Sequence, residues 1–247
     1  MTLTLTNIKI LHLEPTSACN ARCPQCIRET DLNFDKNTTT DLSLEKLLSL
    51  IDVNFIKGLD KMFMCGTCGD PAAGKYTLDI FRYFKSVNPQ ITLGMNTNGS
   101  LRNTQWWKDL ANIMTNPKDY VVWSIDWLED TNSIYRINTN WNKIIDNAKS
   151  FISAGGSAHW DILIFEHNQH QVEDSENLAK SLGFSWFRSK VSKKIYNKTS
   201  KFFKSTKKLE CSKRNSWRNR MSCTQGSKFI YFCTRNTLSM LLVRNIN

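Results

Sequence analysis

Long hydrophobic runs are missing from this sequence. No apolar stretch approaches the roughly 18 to 20 residues that carry a helix across a bilayer, which argues against a membrane-spanning helix and predicts no membrane partner. The opening stretch, 1–13, lacks the basic, apolar and small-residue order of a secretory signal, so a cytoplasmic location is expected. There is no internal repeat, no Gly/Ser linker, and no low-complexity stretch beyond a lysine-rich 190–208, which excludes solenoids and tethered arrays. Histidine is scarce, with His12, His159, His167 and His170 the complete set. His12 reads as a core residue of a first strand, and His167 and His170 fall in a loop after a fifth.

What is present bounds the chain from the other side. With 247 residues, 40% hydrophobic and 22% charged, it can bury one sizeable core and is neither fibrous nor disordered by composition. Eight cysteines in a reducing compartment point to metal ligation or redox chemistry rather than a disulfide framework. The net charge of +11 is unevenly placed. Residues 1–189 carry 18 basic and 21 acidic side chains, a net −3, whereas 190–247 carry 15 against one, a net +14. That composition step predicts a core domain over 1–189 and a separate basic C-terminal segment over 190–247.

Within 1–189 the hydrophobic pattern alternates between short strand-like runs at 8–13, 61–65, 91–95, 120–125, 158–165 and 185–188 and helix-like stretches at 43–55, 77–86, 104–114, 141–154 and 172–182. Six strands and five helices in alternation predict an α/β fold. A partial (β/α)6 TIM-like barrel and a doubly wound open sheet both satisfy that pattern.

The strongest chemical signal is Cys19-Asn-Ala-Arg-Cys23-Pro-Gln-Cys26, a C-x3-C-x2-C spacing directly after the first strand. Three thiolates within eight residues are one short of the four that close a structural zinc or iron–sulfur site, so an open metal position is implied. A zinc knuckle completed by His12 or a distant cysteine is the alternative. Three more segments fall at the ends of successive strands: Gly66-Thr67-Cys68-Gly69-Asp70-Pro71, Asn96-Thr97-Asn98-Gly99, and Ser124-Ile125-Asp126 with Arg136 ten residues on. Each alone is also an ordinary turn or strand-end cap. Cys65 and Cys68 form a C-x2-C pair, read as packing for Cys65 and a site wall for Cys68.

Together these motifs resemble the radical S-adenosylmethionine (SAM) superfamily over about three-quarters of the chain. The resemblance implies a [4Fe–4S] cluster on Cys19, Cys23 and Cys26, with SAM on its open iron. It further implies SAM contacts from Gly69 and Asp70, where Asp replaces the family's Glu, and from Asn96, Asn98, Ser124, Asp126 and Arg136. Ser124 would bind the ribose and Arg136 would approach the carboxylate. The implied reaction is one-electron cleavage of SAM to methionine and a 5′-deoxyadenosyl radical that abstracts a substrate hydrogen, with a flavodoxin or ferredoxin as reductant. The Ser-x-Asp and downstream Arg are similar to those of the peptide-modifying branch. A peptide or protein side chain is therefore the first expected substrate, and a nucleotide or RNA base the second.

After Lys190 the alternation fails, and Cys211, Cys223 and Cys233 sit among Lys, Arg and Ser. The same branch carries an auxiliary-cluster domain there, and its motif is absent as written. Read one nucleotide later, Met240-Leu241 forces a Cys, and the codons of 229–243 permit a Pro-Cys-Cys-Trp ending. A truncated or out-of-frame auxiliary domain is thus one expectation for 190–247. The rival for the whole chain is a non-catalytic zinc or iron–sulfur protein whose basic tail contacts nucleic acid.

Overall fold

The computed structural model describes residues 8–32 and 34–191, together with the backbone of 241–244. Strands β1 (Ile10–Leu13), β2 (Lys61–Met64), β3 (Thr92–Thr97), β4 (Tyr120–Ser124), β5 (Ala158–Ile164) and β6 (Trp186–Val191) are mutually parallel. A short strand, β7 (Leu241–Arg244), runs antiparallel along β1 and completes the order β6-β5-β4-β3-β2-β1-β7. The six parallel strands follow chain order with no switch point, so the chain winds in one sense. This is the order of a barrel rather than of a doubly wound sheet, and among the described residues it stays open, with β6 and β7 as its edges.

Period-two alternation gives the sheet two unlike faces. Leu11, Leu13, Met62, Met64, Met95, Trp123 and Trp160 turn to one side and join the main core beneath the helices. The helices are α1 (Ile27–Thr30), α2 (Leu44–Leu48), α3 (Val53–Lys57), α4 (Thr77–Val87), α5 (Thr104–Ile113), α6 (Glu129–Tyr135), α7 (Trp141–Ser153) and α8 (Val172–Ser181). The intervening strand residues, including His12, Phe63, Tyr120, Ser124, Asp161 and Arg188, lie on the opposite face, which is helix-free among the described residues. No helix of the described residues is long and apolar enough to cross a membrane.

Two expectations need correction. The helix read over 43–55 is broken into α2 and α3, because Asp52 is extended and its carboxylate caps Phe55 N at 2.7 Å, which starts a second helix. β7 adds a strand where the sequence pattern predicts none. Lys190 and Val191 of the basic segment belong to β6, and apart from β7 the rest of it, including Cys211, Cys223 and Cys233, lies outside the described residues.

Candidate active site

The parallel strands all end on the same edge, and the cysteine loop follows the first of them. Cys23 is buried with Ala21, Tyr135 and Phe165 in a small apolar cluster separate from the main core, and Cys19 and Cys26 pack against it. All three cysteines therefore adjoin one small apolar cluster, Cys23 buried in it and Cys19 and Cys26 half-buried at its side. Burial pushes the Cys19 thiol up to about 12, with the Asp70 carboxylate adding to it, and burial raises Cys23 as well. Such thiols stay protonated at neutral pH unless a metal displaces the proton.

The loop after β2 folds directly onto the cysteine loop. Asp70 N donates to Ala18 O at 2.8 Å, and a Cβ on Gly69 would lie 2.2 Å from Thr16 O. A Cβ on Gly66 would lie 1.4 Å from Gly69 O, so both glycines are required by close backbone approach. Arg28, buried just past the last cysteine, clips the two loops together. Its Nη1 donates to Ser17 O and, at 2.7 Å, to Cys68 O. Glu14, buried at the end of β1, accepts from Cys68 N at 3.1 Å.

Asp70 is the junction of three strand ends. Its carboxylate accepts from Ala72 N (2.9 Å), Thr97 Oγ1 (2.9 Å) and Asn98 N (2.7 Å). Its side chain is therefore committed to joining the β2 and β3 loops, although burial pushes the carboxyl upward against those donors. Asn98, held in this way, donates from Nδ2 to Asn20 Oδ1 at 2.9 Å and toward Cys19 Sγ at 3.7 Å. Asn96 and Ser124 are half-buried on the helix-free face.

On the other side, Arg136 reaches the cysteines from α6's C-terminus. Its Nε donates to Asp126 Oδ2 at 2.6 Å and its Nη1 to Cys23 Sγ at 3.5 Å. Asp126 is fully buried and accepts Leu163 N at 2.6 Å on its other oxygen. Burial is the largest single influence and opposes the charge on Arg136, but Asp126, Cys23 and Tyr135 together outweigh it and hold the guanidinium protonated. The residue following Asp126, Trp127, takes φ of +109°, a strained conformation for a bulky residue at this site.

The expected residues thus gather at one edge. Cys19 touches Asn98, Cys23 touches Arg136, and Asp70 and Asp126 fix those two partners. The sequence reading missed Glu14, Arg28 and Asn20. A charged residue among apolar neighbours beside a metal loop is the only signal that would have marked Glu14 and Arg28. His12 is buried as expected, but its Nε2 is 3.0 Å from Cys65 O rather than on the cysteine loop.

Among the described residues, no three His, Cys, Asp or Glu side chains converge to hold a single metal ion, as a zinc knuckle requires. A [4Fe–4S] cubane takes each thiolate on a different iron, and three cysteines around one apolar pocket beside a cationic Arg136 fit that group.

Residues 13–179 match the Radical SAM superfamily, and the chain belongs to that family. The family's cofactors are a [4Fe–4S] cluster and SAM. A tungsten-containing aldehyde ferredoxin oxidoreductase cofactor-modifying protein of Pyrococcus furiosus is 32% identical over 127 residues, 51% of this chain and 33% of that one. A GTP 3′,8-cyclase of Helicobacter pylori is 30% identical over 105 residues, 42% of this chain and 32% of the cyclase. The chain thus aligns with about a third of the length of these curated relatives. SuiB of Streptococcus suis, solved with its precursor peptide SuiA, shares the fold at a TM-score of 0.58 and 14% identity, over 74% of this chain and 40% of that one.

Proposed function

We propose that this protein cleaves SAM reductively and uses the resulting radical to abstract hydrogen from a peptide or protein side chain. One observation carries the reading: the three cysteines adjoin one apolar cluster, where Asn98 touches Cys19 and Arg136 touches Cys23, each of these partners fixed by a buried aspartate. Cys19, Cys23 and Cys26 would hold the cluster. Gly69, Asp70, Asn96, Asn98, Ser124, Asp126 and Arg136 would form the SAM wall. When bound and reduced, the cluster supplies the single electron that splits the SAM sulfonium.

The chain's own residues do the positioning. Asp70 locks the β2 and β3 loops at fixed spacing, Asp126 aims the Arg136 fork, and Tyr135 and Phe165 exclude water from the thiolates. A flavodoxin or ferredoxin would supply the electron, and a reducing cytoplasm suits a site built on three thiols. Residues 1–189 would be the catalytic core, and 190–247 a basic segment derived from a truncated or out-of-frame auxiliary domain.

The peptide substrate is supported by the Ser124, Asp126 and Arg136 pattern and by the fold shared with SuiB, which is solved with a precursor peptide. A nucleotide substrate is the second reading, favoured by the similarity to a GTP 3′,8-cyclase.

Anaerobic reconstitution with iron and sulfide, followed by dithionite and SAM, tests the function. Wild type should release 5′-deoxyadenosine and Cys23→Ala none. A cluster that forms without any cleavage would remove the catalytic reading, and colourless protein holding zinc would remove the cluster as well.

A further inference from the structure

The helix-free face carries a second, separate set of charges below the cysteine loop. Its floor is a continuous ring contact: Lys61 Nζ lies 4.7 Å over Tyr120, and Tyr120 stacks on His159 at 5.1 Å. Above it, Asp161 of β5 faces Arg188 of β6 directly across the ladder. Arg188 donates from Nε to Oδ1 at 2.9 Å and from Nη2 to Oδ2 at 2.5 Å, and Lys190 Nζ donates to Oδ2 at 2.8 Å.

Three features make this more than a cross-strand ion pair. Two cations share one carboxylate, which leaves a surplus of one positive charge. Asp161 is sunk at 11% side-chain exposure, while Arg188 and Lys190 remain 44% and 47% exposed. The cluster is also level with the proposed SAM wall, because Asp161 pairs with Ser124, Lys190 pairs with Leu163, and Leu163 N donates to Asp126. The facing groups do not cancel the surplus. His159 is pushed down to about 4, first by burial, with nearby Arg188 and Lys61 disfavouring its charge as well, so it is neutral at pH 7. Lys61 adds a further cation, and Glu14 is turned to the Cys68 amide.

We propose that Arg188 and Lys190 form a subsite for a substrate carboxylate, so that the peptide modified here carries an acidic side chain beside the reacting residue. This rests on the reading of the site as a SAM-cleaving centre acting on a peptide. At the fork itself Arg188 and Lys190 less Asp161 leave one positive charge, with Lys61 held over the Tyr120 ring, and one charge matches a carboxylate of −1 more closely than a phosphate monoester of about −1.5 to −2. The guanidinium fork and ammonium supply donors suited to carboxylate oxygens.

The test uses the full-length protein in selection from a random displayed peptide library. The selected peptide is then compared in Kd with its counterpart in which Asp or Glu is replaced by the amide. The expected pool is enriched in acidic residues, and the amide counterpart binds about tenfold more weakly, the equivalent of about 1.4 kcal/mol. Arg188→Gln and Lys190→Gln should erase that preference. Asp161→Asn should sharpen it, because the internal carboxylate that competes for the same donors is gone; a merely structural ion pair predicts weaker binding instead.

An empty selection, a pool without acidic enrichment, equal Kd for acid and amide, weakening by Asp161→Asn, or displacement by inorganic phosphate at lower concentration than by acetate would each overturn the proposal. If Arg188→Gln does not fold, Asp161→Asn still decides. Acid preference without SAM cleavage would sink only the catalytic reading, and cleavage without acid preference only this subsite.

Discussion

A buried carboxylate that receives donors from three directions sets the spacing of everything around it, and Asp70 is that group here. Replacing it with Ala leaves the Thr97 hydroxyl and the Ala72 and Asn98 amides buried without partners. At about 1 to 3 kcal/mol for each stranded donor, with some relaxation, Asp70→Ala should cost about 3 kcal/mol. A urea unfolding midpoint within error of wild type would refute this. The sequence marked position 70 but not what its side chain does, since an Asp in place of Glu reads as a departure from a motif. Only the fold shows that the shorter side chain meets Thr97 and the Asn98 amide. His159 gives a second residue-level prediction. Its ordinary pKa near 6.5 falls to about 4 in the fold. The unfolded chain therefore binds a proton that the native state refuses, so this contribution to stability is present above pH 6.5 and is lost as pH falls toward 4. The urea midpoint should drop between about pH 7 and pH 5, and His159→Gln should flatten that drop. Equal slopes would show that His159 is not the group responsible.

At the scale of elements, the strands were legible because one face of each is apolar and buried, which leaves period-two alternation in Leu11-His12-Leu13 and Met62-Phe63-Met64. Helices α4, α5, α7 and α8 were legible from their length and periodicity. Helices α1 and α6, of four and seven residues, are too short to show a period. The break between α2 and α3 lay in a single capping residue, Asp52, inside an otherwise helical pattern. The cysteine loop itself was legible from spacing, whereas its dependence on the β2 loop was not, because that dependence is backbone against backbone. Gly66→Ala tests it. The added Cβ meets Gly69 O at 1.4 Å, and neither atom belongs to a side chain that can swing away. The β2 loop must refold around Gly69 and Asp70, the residues that lie against Thr16 and Ala18, at a cost of about 3 kcal/mol. Iron bound per chain after reconstitution should fall well below wild type; full iron occupancy would mean that the cysteine loop holds its shape unaided.

At the scale of the whole molecule, charge is partitioned rather than spread. The core carries a net −3 and the segment from 190 onward +14, so the overall basicity says little about the site. On the helix-free face, the positive surplus comes from Lys61, Arg188 and Lys190, placed by strand pairing and not by composition. Any affinity for polyanions should therefore arise in the C-terminal segment and be separable from catalysis. Exchanging Lys193, Lys194, Lys198, Lys201, Lys204, Lys207 and Lys208 for Gln in the full-length chain should weaken binding to duplex DNA. The logarithmic salt slope should shrink by about 0.9 for each phosphate contact removed. The yield of 5′-deoxyadenosine per cluster should stay within about twofold of wild type, because every residue assigned to the cluster and to SAM falls between Cys19 and Arg136 in the sequence. A parallel loss of cleavage and DNA binding would instead tie the basic segment to substrate recognition, and would move the nucleotide reading ahead of the peptide one.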